Sequence, residues 1–119
     1  MTELFIGPIT QDWVNAYAHV SGDDNPLHIR QDGPTIVHGA LLAALAERFV
    51  MHVLPGIEIL SLRYRFVTPV PVGSGVVFRL GVQRQIVEQE RTAIEQKVLA
   101  SIPGSRPAML AECRYLPKP

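Results

Sequence analysis

From Leu60 onward the chain alternates apolar and polar positions. Leu60, Leu62, Tyr64 and Phe66 are separated by Ser61, Arg63 and Arg65, and Val76, Phe78, Leu80 and Val82 are separated by Val77, Arg79, Gly81 and Gln83. Period two is the signature of a strand, because successive side chains leave a pleated backbone on opposite faces. Ile94, Gln96, Val98 and Ala100 make a weaker third run, and Met109 to Tyr115 a fourth. The segments between them, TPVPVGSG, VEQE and PGSRP, are rich in turn-formers.

Ahead of Gly56 the period lengthens. Thr2 to Ile9 reads as a short strand stopped near Pro8, and Thr10 then caps a helix over Gln11 to Val20, with Trp13, Val14, Tyr17 and Val20 at helical spacing. The cluster SGDDNP that follows is a turn, and Pro26 discourages continuation of the helix. His38 to Leu54, HGALLAALAERFVMHVL, is apolar almost all round, with Glu47 and Arg48 as its strong charges. At about 1.5 Å per residue it is roughly 25 Å long, and a helix with so little polar face needs cover on most sides. One such helix followed by four strands, with a strand at the N-terminus, gives an α+β domain whose antiparallel sheet curls around the helix. Residues 1–119 are read as one domain, and the uncovered sheet edge and helix surface call for a homodimer.

Composition narrows the function. At 119 residues, with 47% apolar and 18% charged side chains, the chain can bury a core and does not have the make-up of a disordered one. Eleven basic and eleven acidic residues cancel, and no basic block marks a nucleic-acid or anionic-membrane surface. No run reaches the ~18–20 apolar residues that cross a bilayer, and the N-terminus has no signal-peptide pattern; a soluble, cytoplasmic protein is expected. The single cysteine, Cys113, excludes an internal disulfide framework and reads as a packed core residue.

The chemistry is concentrated in YAHVSGDDNPLH, residues 17–28, where Asp23 and Asp24 stand five and four residues ahead of His28. A turn held by Gly22, Asn25 and Pro26 can bring a carboxylate and an imidazole to one small substrate as an acid–base pair. The same string is also the composition of a solvated turn whose aspartates cap local amides. Downstream, Gly39 opens the apolar helix, where main-chain N–H groups lack intrahelical partners and the dipole is positive. A carbonyl oxygen gaining negative charge is stabilised at such a place; equally, Gly39 simply starts a tightly packed helix. His38, next to it, either caps the helix or lines the pocket. His19 and His52 read as ordinary helix residues, and no spacing argues for a metal site.

The string SGDDNPLH followed by IVHGALLAAL resembles the signature of the MaoC-like hydratases, the (R)-specific enoyl-CoA hydratase group. Phe66, Pro69, Val70 and Gly73 of RFVTPVPVGSGV are similar to a second family phrase. The resemblance runs from about residue 13 to 83. It implies a hot-dog fold, a homodimer, and a lyase that adds water to a 2-enoyl thioester or removes it from a 3-hydroxyacyl thioester, as in fatty acid or polyketide metabolism. It also implies roles: Asp23, not Asp24, is catalytic with His28, the Gly39 amide polarises the thioester carbonyl, and Asn25 and His38 belong to the oxyanion and substrate-binding region. The implied substrate is an acyl-CoA or acyl-carrier-protein thioester, with no cofactor and no metal.

The sequence departs from the family pattern in the segment IRQDGPTIV, residues 29–37, which is shorter than the usual flap over the acyl pocket. The small residue expected several positions after the histidine is also missing, and Ser74 stands where an acidic residue often follows the glycine. A hot-dog thioesterase and a non-catalytic acyl-binding subunit are the competing expectations.

Overall fold

The computed structural model describes residues 3–119. Its elements run β1 (Glu3–Ile6), α1 (Gln11–Ser21), α2 (Pro26–Ile29), α3 (Gly39–Val53), β2 (Glu58–Phe66), β3 (Val76–Glu88), β4 (Arg91–Ser101) and β5 (Pro107–Leu116). The strands form one antiparallel sheet in the order β1-β3-β4-β5-β2. This is the α+β arrangement the patterning predicts, with β1 ending at Ile6 and Thr2 outside the described residues.

The helix ends follow from local chemistry. Thr10 caps α1, its hydroxyl accepting from the Trp13 amide at 3.2 Å. Gly22 ends it in the left-handed region (φ 80), where the absence of a Cβ removes the steric penalty. Pro26 begins a helix here instead of only ending one: it sits in the first turn of α2, where a missing N–H costs nothing. Asn25 caps that turn, its side-chain oxygen accepting from the Leu27 amide at 3.0 Å.

The core lies between α3 and the sheet. Leu41, Leu42, Leu45, Ala46, Phe49 and Val50 of α3 pack with Phe78, Val98, Met109 and Cys113 of the strands. The sheet does not wrap the helix completely, since Ala40, Ala44, Glu47, Arg48 and Met51 form an exposed stripe at helical spacing.

Strand alternation is broken where the register shifts, at three places among the described residues: between Ile59 and Ser61, between Leu80 and Gln83, and between Ala100 and Ser101. The β2–β5 register shifts between Ile59 and Ser61, so Ile59 and Leu62 reach the core while Leu60 does not. The β3–β4 register shifts between Leu80 and Gln83, which turns Val82 to solvent at 78% exposure; its expected inward position is corrected. One extra residue on one strand reverses every side chain beyond it. Gln96 is placed by the same bulge: its buried amide donates to the Gly81 carbonyl at 2.8 Å and to the Lys97 carbonyl at 3.0 Å. Part of the VEQE segment also proves to be strand, with the hairpin reversing at Gln89 and Glu90, both in the left-handed region (φ 51 and 63).

Two stretches fix the place where the catalytic candidates meet. The Val37 amide donates to Val70 O at 2.8 Å, the Val72 amide to Thr35 O at 2.9 Å and the Ile36 amide to Leu27 O at 2.9 Å. The Val67 amide in turn donates to Ala108 O at 2.8 Å. The path from β5 through residues 67–72 to residues 35–37 therefore anchors the entry to α3.

Candidate active site

Asp23, His28 and His38 come together at the junction of the α1–α2 loop, α2 and the start of α3, with one possible ligand atom from each lying within 4.8 Å of the others. Asp23 is exposed, whereas the His28 side chain is mostly covered, and Nε2 of His28 is 3.9 Å from Oδ2 of Asp23.

The hydrogen bonds assign the protons. Nδ1 of His28 is 2.8 Å from the Ile36 carbonyl oxygen, which only accepts, so neutral His28 carries its hydrogen on Nδ1 and presents a lone pair at Nε2. Two acceptors, that lone pair and the Asp23 carboxylate, then face each other across a gap too long for a direct hydrogen bond. A water molecule donating one hydrogen to each fits this separation. The loop is shaped to leave Oδ2 free for it: Oδ1 of Asp23 is at 3.5 Å from the Asn25 amide, and the Asp23 amide donates to Ser21 Oγ at 3.2 Å.

Asp24, one residue away, has a different outlook. It lines a surface hollow with Asn15, His19 and Gln31, away from the cleft that holds His28. Geometry thus separates two aspartates whose spacing from His28 leaves either one open.

His28 and Gly39 share a cleft of about 330 Å³ whose walls include Ile36, Leu42, Phe66, Pro69 and Val70. Its lining is mainly apolar, as a site for an acyl chain should be. No side chain caps α3, so the first-turn amides beginning at Gly39 remain available as donors. The Phe66 ring lies against Gly39, where a β-carbon would be 2.8 Å from its Cζ. Only glycine leaves that approach open.

His38 stands at the N-cap position of α3, one of its two expected places, but its side chain turns to other partners. It is 1% exposed, makes no side-chain cap and lies behind His28. Asn25 orients the loop from the α2 cap. Sequence reading misses Gln11, whose amide donates to His28 O at 2.7 Å and whose Oε1 accepts from the Thr35 hydroxyl at 2.5 Å. Nothing in its spacing along α1 marks it. Phe66 is visible in the second family phrase, but not its contact with Gly39.

The three-residue cluster has a donor set that a metal ion accepts. However, His28 and His38 are stacked with 24° between their planes, which keeps their lone pairs in separate, nearly parallel planes instead of converging on a common point. The arrangement suits a held water better than a chelate.

No helix among the described residues is long and apolar enough to cross a membrane. In comparisons with known proteins, residues 7–101 match the model of the MaoC like domain. The 3-hydroxyacyl-thioester dehydratase Z of Mycobacterium tuberculosis is 37% identical over 82 residues, covering 57% of this chain and 54% of the relative. The chain thus spans about half the length of the curated relatives it matches. Among solved structures, the unliganded (R)-hydratase PhaJ1 from Pseudomonas aeruginosa superposes with a TM-score of 0.77 at 26% identity, covering 98% of this chain and 79% of that one. The (R)-hydratase from A. caviae involved in PHA biosynthesis gives a TM-score of 0.79 at 24% identity, covering 98% and 94%, and agrees in fold. The α3-on-sheet architecture is accordingly the hot-dog fold, and the chain belongs to the MaoC-like domain family.

Proposed function

We propose that this protein is a hydratase or dehydratase that interconverts a 2-enoyl thioester and a 3-hydroxyacyl thioester. The observation that carries the reading is the pairing of Asp23 Oδ2 with the free lone pair of His28 Nε2 at 3.9 Å, next to a mainly apolar cleft walled by Gly39. The named activities of the relatives, 3-hydroxyacyl-thioester dehydratase and (R)-hydratase, support it.

In the hydration direction, water is held by Asp23 and His28. Its oxygen bonds to C3 of the enoyl group as one of its protons passes to the pair. The C2–C3 π electrons move toward the thioester, and charge builds on its oxygen. The Gly39 amide donates to that oxygen; such donors are typically worth about 3–4 kcal/mol in the transition state. The proton held by the pair then bonds to C2, so both hydrogens of water end in the product and the pair returns to its starting state. The steps use protein groups alone, without cofactor or metal.

The substrate is an acyl-CoA or acyl-carrier-protein thioester with the (R)-3-hydroxy configuration on the hydrated side. A homodimer is part of the reading: Tyr64, Phe66 and Val67 stay half-exposed on and just beyond the edge strand β2 beside the cleft, and a second copy would cover them.

The test is the loss of enoyl-thioester absorbance with crotonyl-CoA and a longer 2-enoyl-CoA. Turnover by the wild-type protein and none by Asp23→Asn supports the assignment. Release of free thiol with the double bond intact would make the protein a thioesterase, and binding without turnover would make it an acyl-binding subunit.

A further inference from the structure

His38 has no part in the chemistry above, yet several independent observations converge on it. It is among the largest fully buried side chains and does not line the cleft. Its Nε2 lies 2.9 Å from the main-chain oxygen of Asp23, an acceptor only, so Nε2 carries the hydrogen and the lone pair sits on Nδ1. That Nδ1 is buried without a hydrogen-bond partner among the described residues. The ring stacks on His28 with centroids 3.8 Å apart, and Tyr17 meets it edge-on at 4.8 Å.

We infer that His38 is the positioning residue of the acid–base pair, holding Asp23 through the main-chain carbonyl and His28 through the face of its ring. The inference rests on the reading of Asp23 and His28 as that pair.

Each contact answers a weakness of the site. The other hydrogen bonds of the Asp23 main chain and carboxylate are local, to Ser21 and Asn25, and Gly22 beside it has no side chain to pack. The bond from His38 joins this exposed loop to the first residue before the buried helix α3, fifteen positions away. The Ile36 carbonyl fixes one edge of the His28 ring but leaves its tilt about that bond free, and a flat neighbour at 3.8 Å removes the freedom.

The unpartnered Nδ1 identifies what is being retained. A buried nitrogen without a partner is unfavourable, and an apolar side chain of like size would avoid the penalty. Such a side chain supplies a flat face or bulk, never the N–H to Asp23. An amide side chain supplies the N–H and not the face. Imidazole gives both, and the orphaned lone pair comes with it.

Two variants separate these contributions. His38→Phe keeps a flat ring and removes the donor; His38→Gln keeps an N–H and removes the ring. With crotonyl-CoA, His38→Phe should lower kcat by at least ~30-fold, the size expected when reacting groups drift by a fraction of an ångström to an ångström. KM should stay within about threefold, because the cleft wall is untouched, and His38→Gln should recover part of the loss. A merely structural role would lower the folded fraction and leave kcat per folded molecule near the wild-type value, so kcat is referred to the folded fraction measured on the same sample. In the free wild-type protein, long-range proton–nitrogen NMR should show His38 as the Nε2–H tautomer and His28 as the Nδ1–H tautomer. A folded His38→Phe protein with kcat within threefold of wild type, or an Nδ1–H tautomer at His38, would overturn the inference.

If the wild-type protein turns over neither crotonyl-CoA nor a longer 2-enoyl-CoA, the coenzyme A form of the hydratase reading fails first. The placement is then decided by NMR alone: shifted Asp23 carboxyl and His28 ring signals in His38→Phe support it, and unchanged signals overturn it. Where a variant does not fold, the wild-type tautomers still decide between the two outcomes.

Discussion

Gly39 and Phe66 are in contact so close that neither position is independent of the other: a β-carbon on Gly39 would sit 2.8 Å from Cζ and 2.9 Å from Cε2 of the ring. The ring is half-exposed and belongs to the edge strand β2, so it can swing outward. Gly39→Ala should therefore fold, with a melting temperature within a few degrees of wild type, since strain near the ring is offset by the higher helix propensity of alanine. Catalysis should suffer far more. A methyl group and a displaced ring both crowd the amide that is to receive the thioester oxygen, and kcat should fall ~100-fold, as when an oxyanion donor is lost. Thermal melts and enoyl-CoA hydration on the same preparation give both numbers.

Asp23 and Asp24 offer an internal control. Asp23→Asn removes the carboxylate opposite His28 Nε2 and should cost at least ~100-fold in turnover. Asp24→Asn alters a group that faces the hollow lined by Asn15 and His19 and should stay within about threefold of wild type. Equal losses from the two substitutions would remove the basis for choosing Asp23.

On the sheet face away from the core, Glu95 is nearly inaccessible (4% exposed) and bridges two arginines, with Arg84 Nε at 2.7 Å and Arg114 Nε at 3.2 Å. The hydrogen bond from Arg84 holds its carboxyl below the usual carboxylate range, against the opposing effect of burial, with the charges of Arg84 and Arg114 assisting. A depressed folded-state pKa gives stability that is present above the unfolded value of about 4.3 and lost as the pH falls through the folded value. Glu95→Gln should thus lower the melting temperature at neutral pH, and the gap from wild type should close as the pH drops below about 4.3. Melting curves at several pH values check the sign.

Cys113 is fully buried, and burial, assisted by the charge of Glu47, pushes its thiol up to about 11. The thiolate is the reactive form, so a thiol-specific reagent at about pH 7.5 should leave the native protein unmodified and react stoichiometrically after denaturation. Mass spectrometry before and after adding denaturant distinguishes the two states.

Periodicity made most of the fold readable. The capping threonine Thr10, the apolar helix after His38 and the inward residues Val76, Phe78, Val98 and Ala100 all follow from spacing. The bulges after Ile59 and Leu80 did not, because an extra residue in one strand is set by its partner across the sheet and leaves no periodic trace. The short α2 was hidden by a proline that serves equally to stop a helix or to start one. For the site, the octapeptide from Ser21 to His28 carried the resemblance, while the choice between Asp23 and Asp24 became physical only with the direction each faces. The buried station of His38 behind His28 was illegible, since a histidine before a helix reads the same whether it faces the pocket or lies behind it.

The sheet order has a temporal meaning. Strands β3, β4 and β5 follow one another as hairpins, whereas β2 must find β5 across some fifty residues and β1 must find β3 across some seventy. Loop closure makes the meander the earlier event and its two flanks the later ones. The Asp23–His28 pair depends on the later ones, because residues 35–37 lean on residues 70–72 and Val67 leans on Ala108. A polypeptide that has already buried its central strands can thus still lack an assembled site, and the chemistry proposed for Asp23 and His28 waits on the late-forming flanks, through residues that lie near the beginning of the chain.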